Sequence, residues 1–176
     1  MSCSKGEGMA LHEKKPGTIF LVAGGTGVYP FIDLIDVLFK KMLVEQNHNS
    51  RQKILESTPA VQDVMLSTFK FVFMASFNSL TDLHPITQYQ CRKLSENNSD
   101  KFKCYFKVKG QSNSMSEKSN IQYTNERFER ILEQEVNRIN IENLSQIYLC
   151  GPGKMTGPFI KLFEEIGIAQ DSYKII

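Results

Sequence analysis

Two glycine-rich stretches, each set directly after an apolar run, hold the residue types in this chain that could do chemistry. The first is Gly24-Gly25-Thr26-Gly27, which follows TIFLVA and is succeeded by Val28, Tyr29 and Pro30. Glycines at such a turn reach positive φ and let backbone N–H groups close around an anion. Pro30 suits the first position of a following helix, where its missing N–H is no loss, and that helix would aim its positive end at whatever the turn holds. The chemistry would be the binding of a phosphate or pyrophosphate; a tight structural turn is the other reading that the stretch admits on its own. The spacing G-x-G-x-x-P is not the dehydrogenase dinucleotide fingerprint, which has a small residue where Pro30 stands. Nor is it a triphosphate loop, which needs a following Lys-Ser/Thr pair.

The second stretch follows IYLC and reads Gly151-Pro152-Gly153-Lys154-Met155, leading into TGPFIKLFEEIG, which has helical spacing and Gly167 as its C-cap. Cys150 would stand at the tip of the preceding strand. A buried cysteine acting as a small apolar residue is the commoner case, and no histidine lies near Cys150 in sequence to activate it as a nucleophile.

These turns need a scaffold. TIFLVA (18–23), FKFVFMASF (69–77), KFKCYFKVK (101–109) and QIYLC (146–150) read as strands, with SYKII as a fifth at the end of the chain. Helical spacing of apolar residues runs over 29–43 and 125–139, and over 82–97 if Pro85 sits in the first turn. Strand and helix alternate, which predicts an α/β fold: an open, doubly wound, five-stranded parallel sheet with helices on both faces. Ligands of such sheets lie outside the carboxyl ends of the strands, where the strand order reverses. If the first and fourth strands are neighbours, both glycine turns line one crevice. Phe31, Leu34, Ile35, Leu38 and Phe39 form the core face of the first helix, with Asp33, Asp36, Lys40 and Lys41 turned to solvent. The stretch 47–68 fits no element, and 110–124, rich in Ser, Asn, Gln and Lys, reads as an exposed loop.

Composition sets the outer limits. The 176 residues, 41% hydrophobic, suit one domain with a real core. A net charge of +2 from 21 basic and 19 acidic residues offers no electrostatic case for nucleic acid. Cys3, Cys91, Cys104 and Cys150 are far apart, and His12, His48 and His84 fall in no metal-ligand spacing, so reduced thiols and no metal site are expected. No signal-peptide core or membrane span of about 18 apolar residues is present. A cytoplasmic setting is the expectation, with attachment to a larger or membrane-bound protein left open.

Residues 23–31, AGGTGVYPF, and residues 150–155, CGPGKM, occur in this order on the ends of predicted strands. Together they resemble the pyridine-nucleotide domain of the ferredoxin-NADP reductase family, over roughly residues 17–176. The resemblance implies that Gly24, Gly25, Thr26 and Gly27 approach the pyrophosphate and nicotinamide ribose of NAD(P)H, with Pro30 behind them. Cys150, Gly151 and Pro152 would border the nicotinamide, the Cys150 side chain lying near the departing hydride, with Gly153 and Met155 completing that wall. Ser76, Phe77 and Asn78 would hold the adenosine half. Three departures stand out. The arginine expected after the second strand is absent, which leaves NADH against NADPH open, although Lys107 and Lys109 could meet a 2′-phosphate if they are not simply exposed strand lysines. Tyr29 is bulky where the family tends to be small. The family's flavin barrel is absent, so residues 1–16, including GEGMAL, resemble the end of a missing flavin domain, and DSYKII stops where the family usually continues.

The implied function is to bind NAD(P)H and present it for hydride transfer to FAD, carried by a separate or missing domain, with a haem or iron protein as the onward electron acceptor. The alternative is a redox-inactive module of the same fold that senses nucleotide or binds a partner.

Overall fold

The computed structural model describes Met9 and residues 11–46, 68–110, 114–115 and 121–176. In chain order the strands are β1 (Gly17–Gly24), β2 (Phe69–Phe77), β3 (Phe102–Val108), β4 (Ser114–Met115), β5 (Ile121–Tyr123), β6 (Leu144–Cys150) and β7 (Tyr173–Ile175). The helices are α1 (Tyr29–Gln46), α2 (Pro85–Asn97), α3 (Phe128–Ile139) and α4 (Gly153–Glu165). Every residue of β1 after Gly17 is buried, as a central strand covered on both faces requires.

The strands form one sheet in the order β4-β5-β3-β2-β1-β6-β7, and only the β4–β5 pair is antiparallel. The expected α/β class and its five strands are present, but the count of five and the wholly parallel sheet are corrected to seven strands with one antiparallel edge. The two extra strands lie inside the stretch expected to be a loop. Three residues are too few to show a period of two, yet β5 is fixed by Ile121, which is 3% exposed and sits level with Cys104 on β3.

Alternate residues divide the core in two. Ile19, Leu21 and Ala23 of β1, with Phe71, Phe73 and Ala75 of β2, face α1 and α2. Phe20, Val22, Val72 and Met74 face α3 and α4. A register shift between β1 and β6 places Leu144 opposite Thr18 but Gln146 opposite Ile19, leaving Ser145 as the extra residue of a bulge. Of the α1 residues expected in the core, Phe31, Leu34, Ile35 and Leu38 are buried, whereas Phe39 is half-buried with its ring edge-on to Tyr89. Asp36 corrects the expectation of a solvent-facing charge: it accepts a 2.7 Å hydrogen bond from buried Gln90 of α2 and pairs with Lys40 at 2.8 Å, so it ties the two helices together.

The helix ends behave as their residues dictate. Pro85 opens α2 at its first position. Gly167, at φ +74, closes α4 with Ile168 N–H bonded to the Phe163 carbonyl at 2.8 Å and Gly167 N–H to Glu164 at 3.4 Å. The described residues of the N-terminal stretch are pinned to β6: Tyr148 donates to the Met9 carbonyl, and Ser145 Oγ donates to the Lys15 carbonyl at 2.6 Å. The rest of residues 1–16 expected to end a preceding domain, and nearly all of the stretch 47–68, lie outside the described residues. Among the described residues no helix is long and apolar enough to cross a membrane.

Candidate functional site

β1 and β6 are adjacent and parallel, with Ala23 opposite Cys150, so both glycine turns leave the same edge of the sheet. This is also where the strand order reverses: β2 and β3 lie to one side of β1, β6 and β7 to the other. Gly25–Val28 forms one 3₁₀ turn that runs straight into α1, whose second residue is Pro30. Gly25 is exposed at φ +56, a left-handed conformation that glycine adopts without penalty.

The remaining glycines show how tightly the two turns approach. A Cβ on Gly27 would lie 2.1 Å from the Cys150 carbonyl oxygen and 3.0 Å from the Gly151 nitrogen. One on Gly24 would meet the Met155 sulfur at 2.4 Å, and one on Gly151 would meet the Met155 methyl at 2.6 Å. Met155 is itself fixed by the first turn of α4, donating its N–H to the Pro152 carbonyl at 2.8 Å. The thioether thus roofs both turns, while their backbones touch beneath it.

In front of the turns lies a cleft of about 1170 Å³. Cys150, Gly24, Gly25, Thr26, Gly27, Pro30, Ser76, Phe77, Asn78, Gly151, Pro152 and Met155 all line it. Gly153 does not: it begins α4, exposed on the far side of Pro152. Phe77 borders the cleft but is 5% exposed, and its ring packs edge-on to Phe106 at 5.8 Å, so its side chain belongs to the core. Tyr29, Lys107 and Lys109, singled out in the sequence for other reasons, also line the cleft. Val108, Gly110, Asn125 and Ile176 do so with no signal in the sequence that marked them.

The sheet lays these residues out in a row. Across the strand ends from β3 through β2, β1 and β6 to β7 there are four gaps, roughly 19 Å in all. The β3 end carries Lys107, which donates to the Glu126 carbonyl at 3.2 Å, and exposed Lys109. The β6 and β7 end carries Cys150 and Ile176, with Met155 on the turn after β6, while Tyr29 follows the turn after β1. Among the described residues no acidic side chain lines the cleft.

Where an arginine was expected after β2, the turn is instead held by a carboxylate. Asp82 Oδ2 accepts the N–H groups of Asn78 at 3.1 Å and Ser79 at 3.0 Å, and the Ser79 hydroxyl accepts the Thr81 N–H. Cys150 is half-buried, and burial pushes its thiol above the ordinary value of 9.0. With no basic side chain bonded to it among the described residues, the thiol is neutral at pH 7, which suits a wall of the cleft and not a nucleophile.

No protein-family model matches the chain, and no curated protein sequence matches it. Solved structures do. The CS-b5R domains of human Ncb5or, in an NAD+ form, align over 91% of this chain with a TM-score of 0.56 and 14% identity. A flavohemoglobin from Malassezia yamatoensis, with bound FAD and heme, aligns over 91% with a TM-score of 0.50 and 18% identity. The chain spans 36% of the first and 32% of the second, about a third of each. At such identities the likeness is one of fold, and it falls on the fold of the family that the two glycine motifs resemble.

Proposed function

We propose that this chain binds NAD(P)H along the cleft and presents the nicotinamide for hydride transfer to a flavin held by another domain. One observation carries the reading: two glycine turns from adjacent strands meet backbone to backbone where the strand order reverses, and open into a cleft that no acidic side chain lines among the described residues. Fold neighbours with NAD+ in one case and FAD and heme in the other support it, as does the chain's covering only a third of each. The flavin and the haem or iron acceptor would then belong to sequence outside the aligned third.

In this reading the N–H groups of the Gly25–Val28 turn and the first turn of α1 hold the pyrophosphate, helped by the helix dipole. Gly25 leaves room for a phosphate oxygen because nothing stands within 4 Å of its Cβ position. Lys107 and Lys109 take the adenosine end, where two cations in a lining that among the described residues holds no acidic side chain favour a 2′-phosphate and hence NADPH. Asn78, on the turn held by Asp82, lies beside them. Cys150, Gly151 and Pro152 border the nicotinamide, and the neutral thiol excludes water there without competing for the hydride. When bound, the dinucleotide supplies the hydride and the flavin of the other domain accepts it; the protein contributes position.

The test is calorimetric titration of the 176-residue chain with NADPH and NADH. One-to-one binding, tighter for NADPH, is expected. Absence of binding by either up to roughly 1 mM, an affinity of about 4 kcal/mol, would overturn the reading in favour of a module that binds no nucleotide.

A further inference from the structure

Resting on that reading, we infer that Tyr29 is the platform on which the nicotinamide half of the ligand stacks, and so the residue that fixes which way the dinucleotide lies in the cleft. Tyr29 is 63% exposed, the most exposed of the large apolar and aromatic side chains in the described structure. It is not a loose surface residue, because it is the first residue of α1, directly after the Gly25–Val28 turn. Its N–H is bonded to the Thr26 carbonyl, and Pro30 follows it. The backbone that carries the ring is therefore the backbone that forms the phosphate turn.

The ring has no partner of its own. No aromatic ring or cation packs on it and no group hydrogen-bonds its hydroxyl among the described residues. An aromatic side chain held in place, lining a cleft and leaving most of its surface in water, offers a face to a flat ligand. The cleft also has a polarity that says which part of the ligand. Its lysines stand at the end of β3, with β2 between them and β1, whereas Tyr29 follows the β1 turn that packs through Gly27 on the Cys150 carbonyl of adjacent β6. A dinucleotide with its more phosphorylated half toward the lysines places its nicotinamide at the tyrosine.

The experiment compares the wild-type chain, Tyr29→Ala and Tyr29→Phe by calorimetry with two probes: NADPH, and 2′-phospho-ADP-ribose, which keeps every phosphate but lacks the nicotinamide. Stacking on an aromatic side chain predicts that Tyr29→Ala weakens NADPH by roughly ten- to a hundredfold and leaves the nicotinamide-free probe within about twofold. Tyr29→Phe, which keeps the ring, should bind NADPH as the wild type does. Equal NADPH affinity in Tyr29→Ala and wild type would overturn the inference and leave the proposed function standing, and so would an equal loss for both probes. If the wild type binds neither probe, the proposed function itself fails, and the inference with it.

Discussion

Replacing Gly27 by alanine should separate the two glycine turns. The new Cβ would stand 2.1 Å from the Cys150 carbonyl oxygen and 2.6 Å from its carbon, where an ordinary contact begins at 3.4 Å, so the turns must part by about 1.3 Å. Both sides of the contact are backbone. No rotamer change relieves it, and Ala23 and Cys150, a few residues away, are locked in the β1–β6 ladder. Overpacking of a core costs about 1–3 kcal/mol, and a backbone clash without a soft neighbour belongs at the upper end. About 3 kcal/mol out of a total of roughly 5–15 is large but leaves the chain folded. For a chain of this size each kcal/mol lowers the thermal midpoint by about 2–4 °C, so the expected drop is about 6–12 °C. The assay is thermal unfolding followed by far-ultraviolet circular dichroism, paired with NADPH titration below the transition, where affinity should also fall because the turns no longer share one edge. A midpoint within about 2 °C of wild type would mean that the turns do not touch, and the geometry assigned to the site would be refuted.

Gly25 should respond in the opposite sense: Gly25→Asn, a residue that tolerates the left-handed conformation, should melt within about 3 °C of wild type yet lose NADPH binding, because the side chain fills space that the fold leaves open. Lys109→Ala should weaken NADPH by about tenfold and leave NADH unchanged, and the difference should shrink as salt rises. Glu135, 2% exposed, accepts from Lys103 at 2.8 Å, Tyr105 at 2.9 Å and Arg138 at 2.8 Å. Burial alone would raise its pKa, but the Lys103 and Tyr105 hydrogen bonds and the two cations outweigh burial and hold it below 4.5. A depressed folded pKa gives stability that is fully present above about 4.5 and lost as the pH falls through the folded value. The midpoint gap between wild type and Glu135→Gln should therefore be widest near neutrality and narrow as the pH falls below about 4.5; a gap independent of pH would show that the carboxylate's charge contributes nothing.

How much of this could be read in the sequence follows from segment length and from what each residue's neighbours are. The long strands of 18–23, 69–77, 101–109 and 146–150 and the helices over 29–43, 82–97 and 125–139 carry enough periodic apolar residues to be recognised alone. β4 and β5 are held by partners distant in sequence, and two or three residues cannot announce that. The site was legible where backbone alone makes it, at Gly24, Gly25, Gly27 and Gly151. It was less so where the facing of one side chain decides. Phe77 turns into the core because Phe106 receives it, and Gly153 leaves the cleft because α4 begins there. In sequence Glu135 is one more charge on a helix rich in them. Only the packing of α3 over Lys103 and Tyr105, which share a face of β3, makes it buried and triply bonded.

The glycines of the two motifs do not all argue for a ligand with equal weight. Gly27 is needed by the fold itself, because its Cβ would meet the Cys150 backbone, whereas a Cβ on Gly24 or Gly151 would meet the end of the flexible Met155 side chain, which can turn aside. A relative of this fold that had ceased to bind nucleotide would still keep Gly27, so that part of the resemblance between AGGTGVYPF and a nucleotide-binding domain is accounted for by packing. Gly25 is different. Among the described residues no atom stands within 4 Å of its Cβ position, and its positive φ could be met by asparagine at little strain. The room in front of Gly25 is a feature of the turn that packing leaves unused, and it adds to the meeting of the two turns an argument for a ligand that the fold alone does not supply.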